Sequence, residues 1–217
     1  MTTTRAHHKF WPARVPHAIE PPATGLHDNL VVNARRFPHR AALIFLGHTI
    51  SYAELAAQVQ RLAGWFAQRG IGKGDRVLVD LQNCPQLVIS HYALLSLGAV
   101  VVPVNPMCRA AEIKHLIDDS GAVFAVTSVD LSAEWLSAGM AASRLLITRL
   151  AEVLPGGRAE AEGLPAGWAD WLNADLALPA GATPLAAGGW GSEALAWLRS
   201  ASSSCSRRAA LPESLRR

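Results

Sequence analysis

Apolar residues recur at helical spacing through Tyr52, Leu55, Ala56, Val59, Leu62, Ala63 and Phe66, so Ser51 to Arg69 predicts one amphipathic helix. Ser51 stands at the N-cap, and Glu54 three residues on completes a capping box. Gly70 follows where a helix end wants a left-handed residue. Upstream, Ala41 to Leu46 is a short apolar run, Gly47-His48 a tight turn and Thr49-Ile50 a second short strand. Downstream, Gly72-Lys73-Gly74-Asp75 predicts a turn, and Val77, Leu78 and Val79 a buried strand within Arg76 to Leu81.

The alternation then continues. Asn83 is placed to cap a helix from about Pro85 to Leu97 that stops at Gly98. Ala99 to Val104 is rich in β-branched residues, as expected of a strand covered on both faces. Cys108 to Ser120 predicts a third helix with Ile113, Leu116 and Ile117 on one side, ended by Gly121. Ala122 to Thr127 and Leu145 to Thr148 read as further strands. Beyond Arg149 the pattern weakens. Pro155-Gly156-Gly157 is a loop, and a short helix is expected between Gly167 and Leu178. Repeated strand–helix alternation predicts an α/β fold, with a mostly parallel, helix-flanked sheet and right-handed crossovers.

Composition changes this picture mainly at its ends. Half of the 217 residues are hydrophobic and 17% are charged, so the chain can bury a core. Lysines plus arginines balance acids over residues 1–180, and the net charge of +3 arises wholly after residue 180. A basic pI near 9.0 therefore describes the tail and gives no ground for nucleic-acid binding by the folded part. Cys84, Cys108 and Cys205 fit neither a zinc pattern nor a disulfide framework, which points to a reducing, cytoplasmic setting. Residues 1–25 read as an extended arm with four prolines between Met1 and Pro22 and no secretory apolar run. Leu81 to Cys108 carries no charge across 28 residues, yet Asn83, Gln86, Ser90, His91, Pro103 and Asn105 interrupt it. A buried helix and strand explain it better than an integral membrane span.

Candidate chemistry is sparse. Lys73-Gly74-Asp75 lacks a second glycine cluster and reads as a helix-to-strand turn rather than a phosphate loop. His91 and His115 fall inside predicted helices with no nucleophile constellation around them. Asp118-Asp119 reads as a solvated helix end, Cys84 and Cys108 as small buried hydrophobes, and His7-His8 as an arm without further metal ligands. No catalytic or metal residue is assigned, and no cofactor-binding residue is identified.

Several segments, in order, carry a family resemblance. They are Leu26-His27-Asp28-Asn29-Leu30, Arg36 to Leu43, Ile50 to Leu55, Lys73 to Val77, Leu97 to Pro106 and Glu112 to Gly121. Together they resemble the start of an adenylate-forming (AMP-binding) acyl-CoA synthetase, from about residue 26 to residue 130. Tyr52 and Glu54 belong to that resemblance, with core contact and capping as their evident roles. Pro103-Val104-Asn105-Pro106 is similar to fatty-acid and aryl-acid CoA ligases, whereas peptide-synthetase domains more often place an aspartate at position 105. The resemblance implies a small-molecule carboxylic or fatty acid as substrate, with ATP, Mg²⁺ and CoA, yielding acyl-CoA, AMP and pyrophosphate. It also implies a Gly/Ser/Thr-rich phosphate loop ending in Pro-Lys-Gly and a C-terminal catalytic lysine; the 217 residues contain no such loop.

The expected organisation is thus an arm (1–25), an incomplete N-terminal domain of the adenylating-enzyme fold (26–180) and an irregular tail (181–217). From Leu185 onward only nine residue types appear in 33 residues, the composition of GC-rich DNA read out of frame. A truncated synthetase without activity of its own is the leading expectation. A non-catalytic binding module and one half of a split enzyme, pairing with a separately encoded C-terminal half, remain as alternatives. Translating the coding DNA beyond Pro184 in the other two frames is expected to reveal a phosphate-loop motif. If neither frame does, the frameshift reading fails.

Overall fold

The computed structural model describes residues 6–19 and 21–185, so the tail from residue 186 onward lies outside the described residues. Within the arm, Ala6–Phe10 forms a 3-10 turn, and the His8 ring stacks on His17 at 4.2 Å. Helix α1 (Leu26–Arg36) precedes an antiparallel hairpin of β1 (Ala41–Phe45) and β2 (His48–Ser51). Its two-residue loop holds Leu46 at φ 47° and Gly47 at φ 78°. Positive φ at both positions gives the backbone twist that joins two adjacent strands, although leucine adopts it against a steric penalty.

Ser51 carries the chain from the hairpin into α2 (Tyr52–Gln68). The Ser51 N–H donates to Glu54 Oε2 at 2.8 Å, and the Glu54 N–H donates to Ser51 Oγ at 3.3 Å. This is the predicted capping box. Hydrogen bonds from Ser51, its backbone N–H foremost, hold the Glu54 carboxyl below the usual range.

The central sheet contains β3 (Arg76–Asp80), β4 (Val100–Pro103), β5 (Phe124–Ser128), β6 (Leu145–Thr148) and β7 (Thr183–Pro184). All neighbours pair in parallel, in the order β4-β3-β5-β6-β7. Between them lie α3 (Pro85–Ser96), α4 (Ala110–Ser120), α5 (Ser132–Ser137) and α6 (Trp168–Leu172). Strand residues alternate between two cores, as a two-residue period requires. Val77, Val79, Phe124, Val126 and Leu146 join α1, α2, α3 and the hairpin. Leu78, Ala125, Leu145 and Ile147 join α4 and α5. No helix among the described residues is long and apolar enough to cross a membrane. The uncharged stretch from Leu81 to Cys108 supplies α3, which packs on α1, α2, β3 and β4, and then β4 itself.

Three local expectations need correction. Asn83 does not cap α3: Cys84 is the cap residue, makes no side-chain cap bond, and is followed by Pro85. Proline at the first helical position has no N–H to satisfy, so a side-chain cap is less needed there. The strand around Val100 is not fully covered. Val101 and Val102 pack against opposite cores, but β4 is the sheet edge, leaving Val100 45% exposed. Helix α4 begins at Ala110 rather than Cys108, because Asn105 first makes a turn. Its Oδ1 accepts from the Met107 N–H at 3.0 Å, and its carbonyl accepts from the Cys108 N–H at 2.8 Å.

The hairpin generates two stability predictions of opposite sign, both measured by urea unfolding of the 217-residue chain. Leu46→Asn is expected to stabilise by about 1 kcal/mol, by relieving the left-handed penalty. Ser51→Ala is expected to destabilise by about 1 kcal/mol through loss of the cap.

Candidate functional site

The strand order reverses at β3. The chain runs from β3 to β4 on one side, then returns across β3 to place β5 on the other. The returning helix α4 lies on the face opposite α3. In open parallel sheets of this kind, ligands bind outside the carboxyl ends of the strands where the order reverses. Here that position is the carboxyl edge of β3 and β5.

Polar burial is concentrated at this edge. Asp80 closes β3, Thr127 and Ser128 close β5, Thr148 closes β6, and Gln86 sits in the first turn of α3; all are essentially inaccessible. On the α5 face, Asp80 Oδ2 accepts from Trp135 Nε1 at 2.7 Å and from Thr127 Oγ1 at 3.5 Å. Burial raises the Asp80 pKa, the two hydrogen bonds oppose that rise, and the nearby Asp130 charge adds to it. On the α3 face, Gln86 Nε2 donates to the carbonyls of Arg149 at 3.0 Å and Leu150 at 3.3 Å. Thr148 Oγ1 hydrogen-bonds Glu152, whose carboxyl is also pushed up by burial. Burial raises the Cys84 thiol to about 11, holding it protonated and unreactive.

The arginines at this edge are partly engaged. Arg149 Nη2 donates to the Leu176 carbonyl at 2.7 Å and to Asp175 Oδ1 at 3.5 Å. Arg109 pairs with Glu134 at 3.3 Å, and Glu134 also accepts from the Ala110 N–H at the start of α4. Buried polar atoms without a protein partner at this edge include the acceptors Asp80 Oδ1 and Gln86 Oε1, the Ser128 hydroxyl and the Arg149 donor Nη1. The carboxyl edge of the described strands is thus lined by buried polar side chains, donors as well as acceptors, and the Cys84 thiol there is held protonated.

The residues singled out from the sequence lie apart. Lys73 is exposed, with its stem against Gly98, and its turn is pinned by Gly74 N–H donating to the Gly98 carbonyl at 3.0 Å. His91 is half-buried beside Tyr92, and His115 is exposed on α4. Asp118 pairs with Lys114 at 2.9 Å. Cys84 is buried and Cys108 half-buried; both are free thiols. Among the described residues, no three His, Cys, Asp or Glu side chains form a possible metal cage. The Asp80–Trp135 pair escaped sequence reading because its members are 55 positions apart. The one available signal was an acidic residue ending a strand directly after three apolar residues.

Comparison with known proteins decides the family. The model of the AMP-binding enzyme family matches residues 30–186. The chain belongs to the AMP-binding enzyme family. A long-chain-fatty-acid–CoA ligase of Bacillus subtilis (strain 168) is 32% identical over 148 residues, which is 67% of this chain and 26% of that protein. Triostin synthetase I of Streptomyces triostinicus is 44% identical over 98 residues, 45% of this chain and 18% of that protein. The crystal structure of coronafacic acid ligase from Pectobacterium brasiliense superposes with a TM-score of 0.51 at 27% identity, over 58% of this chain and 25% of that one. The chain thus spans about a quarter or less of the length of these relatives.

The buried carboxyl generates a pH prediction. A folded-state pKa raised by burial means that the folded state holds its proton longer than the unfolded one. Stability then falls as pH rises from the ordinary carboxylate range through the raised value. Asp80→Asn is expected to match wild type in acid and to be the more stable near neutrality, in urea titrations across pH. Trp135→Phe should destabilise by about 2 kcal/mol at neutral pH, because it strips a donor from a buried carboxylate.

Proposed function

We propose that these residues are the first sheet of an ATP-dependent acid–CoA ligase, a wall of its active-site cleft rather than its catalytic apparatus. The reaction of the whole enzyme would join a carboxylic or fatty acid to CoA, converting ATP to AMP and pyrophosphate. The observation that carries this reading is the family match over residues 30–186, together with the long-chain-fatty-acid–CoA ligase among the relatives. The Pro103-Val104-Asn105-Pro106 segment supports a CoA ligase. Two free thiols, one of them deeply buried, support a cytoplasmic setting.

The 217-residue chain on its own does not turn over in this reading. The reason is electrostatic. Adenylation requires a set of backbone donors and a cation on the leaving pyrophosphate, whereas the carboxyl edge of β3 and β5 presents the buried Asp80 carboxyl, with Arg149 Nη1 as its one buried cationic donor left unpartnered among the described residues. ATP, Mg²⁺ and CoA would be held by polypeptide beyond the described residues. The sheet would contribute shape and a dry wall, with Asp80, Trp135 and Gln86 fixing the loops that follow β3, β5 and β6.

ATP–pyrophosphate exchange with a panel of straight-chain and aromatic acids tests this directly. The purified 217-residue chain is expected to give no exchange with any acid. Co-expression with the polypeptide encoded downstream is expected to restore exchange. Exchange by the chain alone would overturn the wall reading, and no restoration would count against a split enzyme.

A further inference from the structure

A cleft of about 350 Å³ opens at the opposite end of the sheet, where the chain enters β3, β5 and β6. Arg69, Asp75, Phe124, Ser143 and Arg144 are among the residues that line it. Two arginines line this space with one aspartate, whose carboxylate has a backbone hydrogen-bond partner. Asp75 Oδ2 accepts from the Gly72 N–H at 2.8 Å. Among the described residues, neither Arg69 nor Arg144 makes an ion pair. Arg69, Ser143 and Arg144 are exposed at the cleft, as are the other cations of this edge, Lys73 and Arg76, which add to its positive field.

Arg69 is held in place. Its guanidinium lies 3.5 Å from the centre of the Trp65 ring. Trp65 is itself buried and meets Phe66 and Phe124 edge-on at 5.3 Å and 5.7 Å. Stacking fixes the plane of the guanidinium fork, so less side-chain freedom is lost when it binds an anion. Partial burial lowers the Arg69 pKa, the direction expected of a cation with no anion beside it. A favourable interaction with the C-terminal end of α2 accounts for a cation at position 69. It does not account for a second arginine, brought by the chain entering β6, in the same cleft.

We propose that this cleft binds a phosphate dianion, either free or as the terminal phosphomonoester of a small molecule, with Arg69 and Arg144 as its clamps and the Ser143 hydroxyl as an added donor. Paired guanidinium forks match the oxygen geometry of phosphate. The site lies at the amino edge, away from the wall described above, and does not depend on the ligase reading.

Calorimetric titration of inorganic phosphate into the 217-residue chain at low ionic strength tests it, with circular dichroism to show that each variant is folded. Saturable binding is expected, weakened about tenfold by Arg144→Gln and several-fold by Arg69→Lys, which keeps the charge but loses the fork. Arg158→Gln, remote from the cleft, is expected to leave binding unchanged. Glycerol 3-phosphate binding as tightly as phosphate would favour a phosphomonoester ligand, and weaker binding the free ion; both agree with the proposal. Absence of saturable binding, or equal weakening by Arg158→Gln, would overturn it. Wild-type protein gives a second readout that no variant's folding can confuse. Phosphate should slow phenylglyoxal modification of Arg69 and Arg144, mapped by mass spectrometry, but not that of Arg158. Equal modification with and without phosphate would sink the proposal.

Discussion

Strand β3 is the constraint on which the rest of the molecule depends. Val77, Leu78, Val79 and Asp80 are buried on both faces, and the strand pairs with β4 on one side and β5 on the other. The chain leaves β3 in one direction and returns in the other. With a constant crossover hand, this reversal must place α3 and α4 on opposite faces of the sheet. The two apolar cores follow from that placement. So does the divergence of loops at the carboxyl edge.

The two ends of the sheet differ in chemistry. At the carboxyl edge, a carboxyl and an amide are buried, and the arginines make contacts to carboxylates and a carbonyl while Arg149 Nη1 is left unpartnered. At the amino edge, arginines lie in a cleft without ion-pair partners among the described residues, one stacked on an aromatic cluster. Burying an unneutralised carboxylate such as Asp80 is expensive, and the Trp135 and Thr127 hydrogen bonds offset only part of that penalty. The carboxyl edge thus fixes loop positions at the expense of stability near neutral pH. That trade is characteristic of sites rather than of cores.

Much of the framework was legible along the chain because it rests on local rules. The Ser51–Glu54 box, the glycine ends after α2, α3 and α4, and the turn at Gly72 to Asp75 all depend on residues within a few positions of one another. Buried strands announced themselves through runs of valine and isoleucine. The errors share a cause. Asn83 had the right chemistry for a cap, but Pro85 had already removed one of the donors it would serve. The strand at Val100 had the composition of an interior strand, yet exposure at an edge is set by strand order, which composition does not encode.

The sequence by itself determined the family and the α/β alternation, since each resides in short ordered segments. The tertiary structure alone decided which residues meet. Asp80 reaches Trp135 across 55 positions, Gln86 holds carbonyls 63 and 64 positions away, and Arg69 and Arg144 come to one cleft from elements far apart in the chain. Parallel strands are joined through long crossovers, so residues at the same edge of the sheet are necessarily distant in sequence. Their meeting depends on strand order and register, which only the folded sheet fixes.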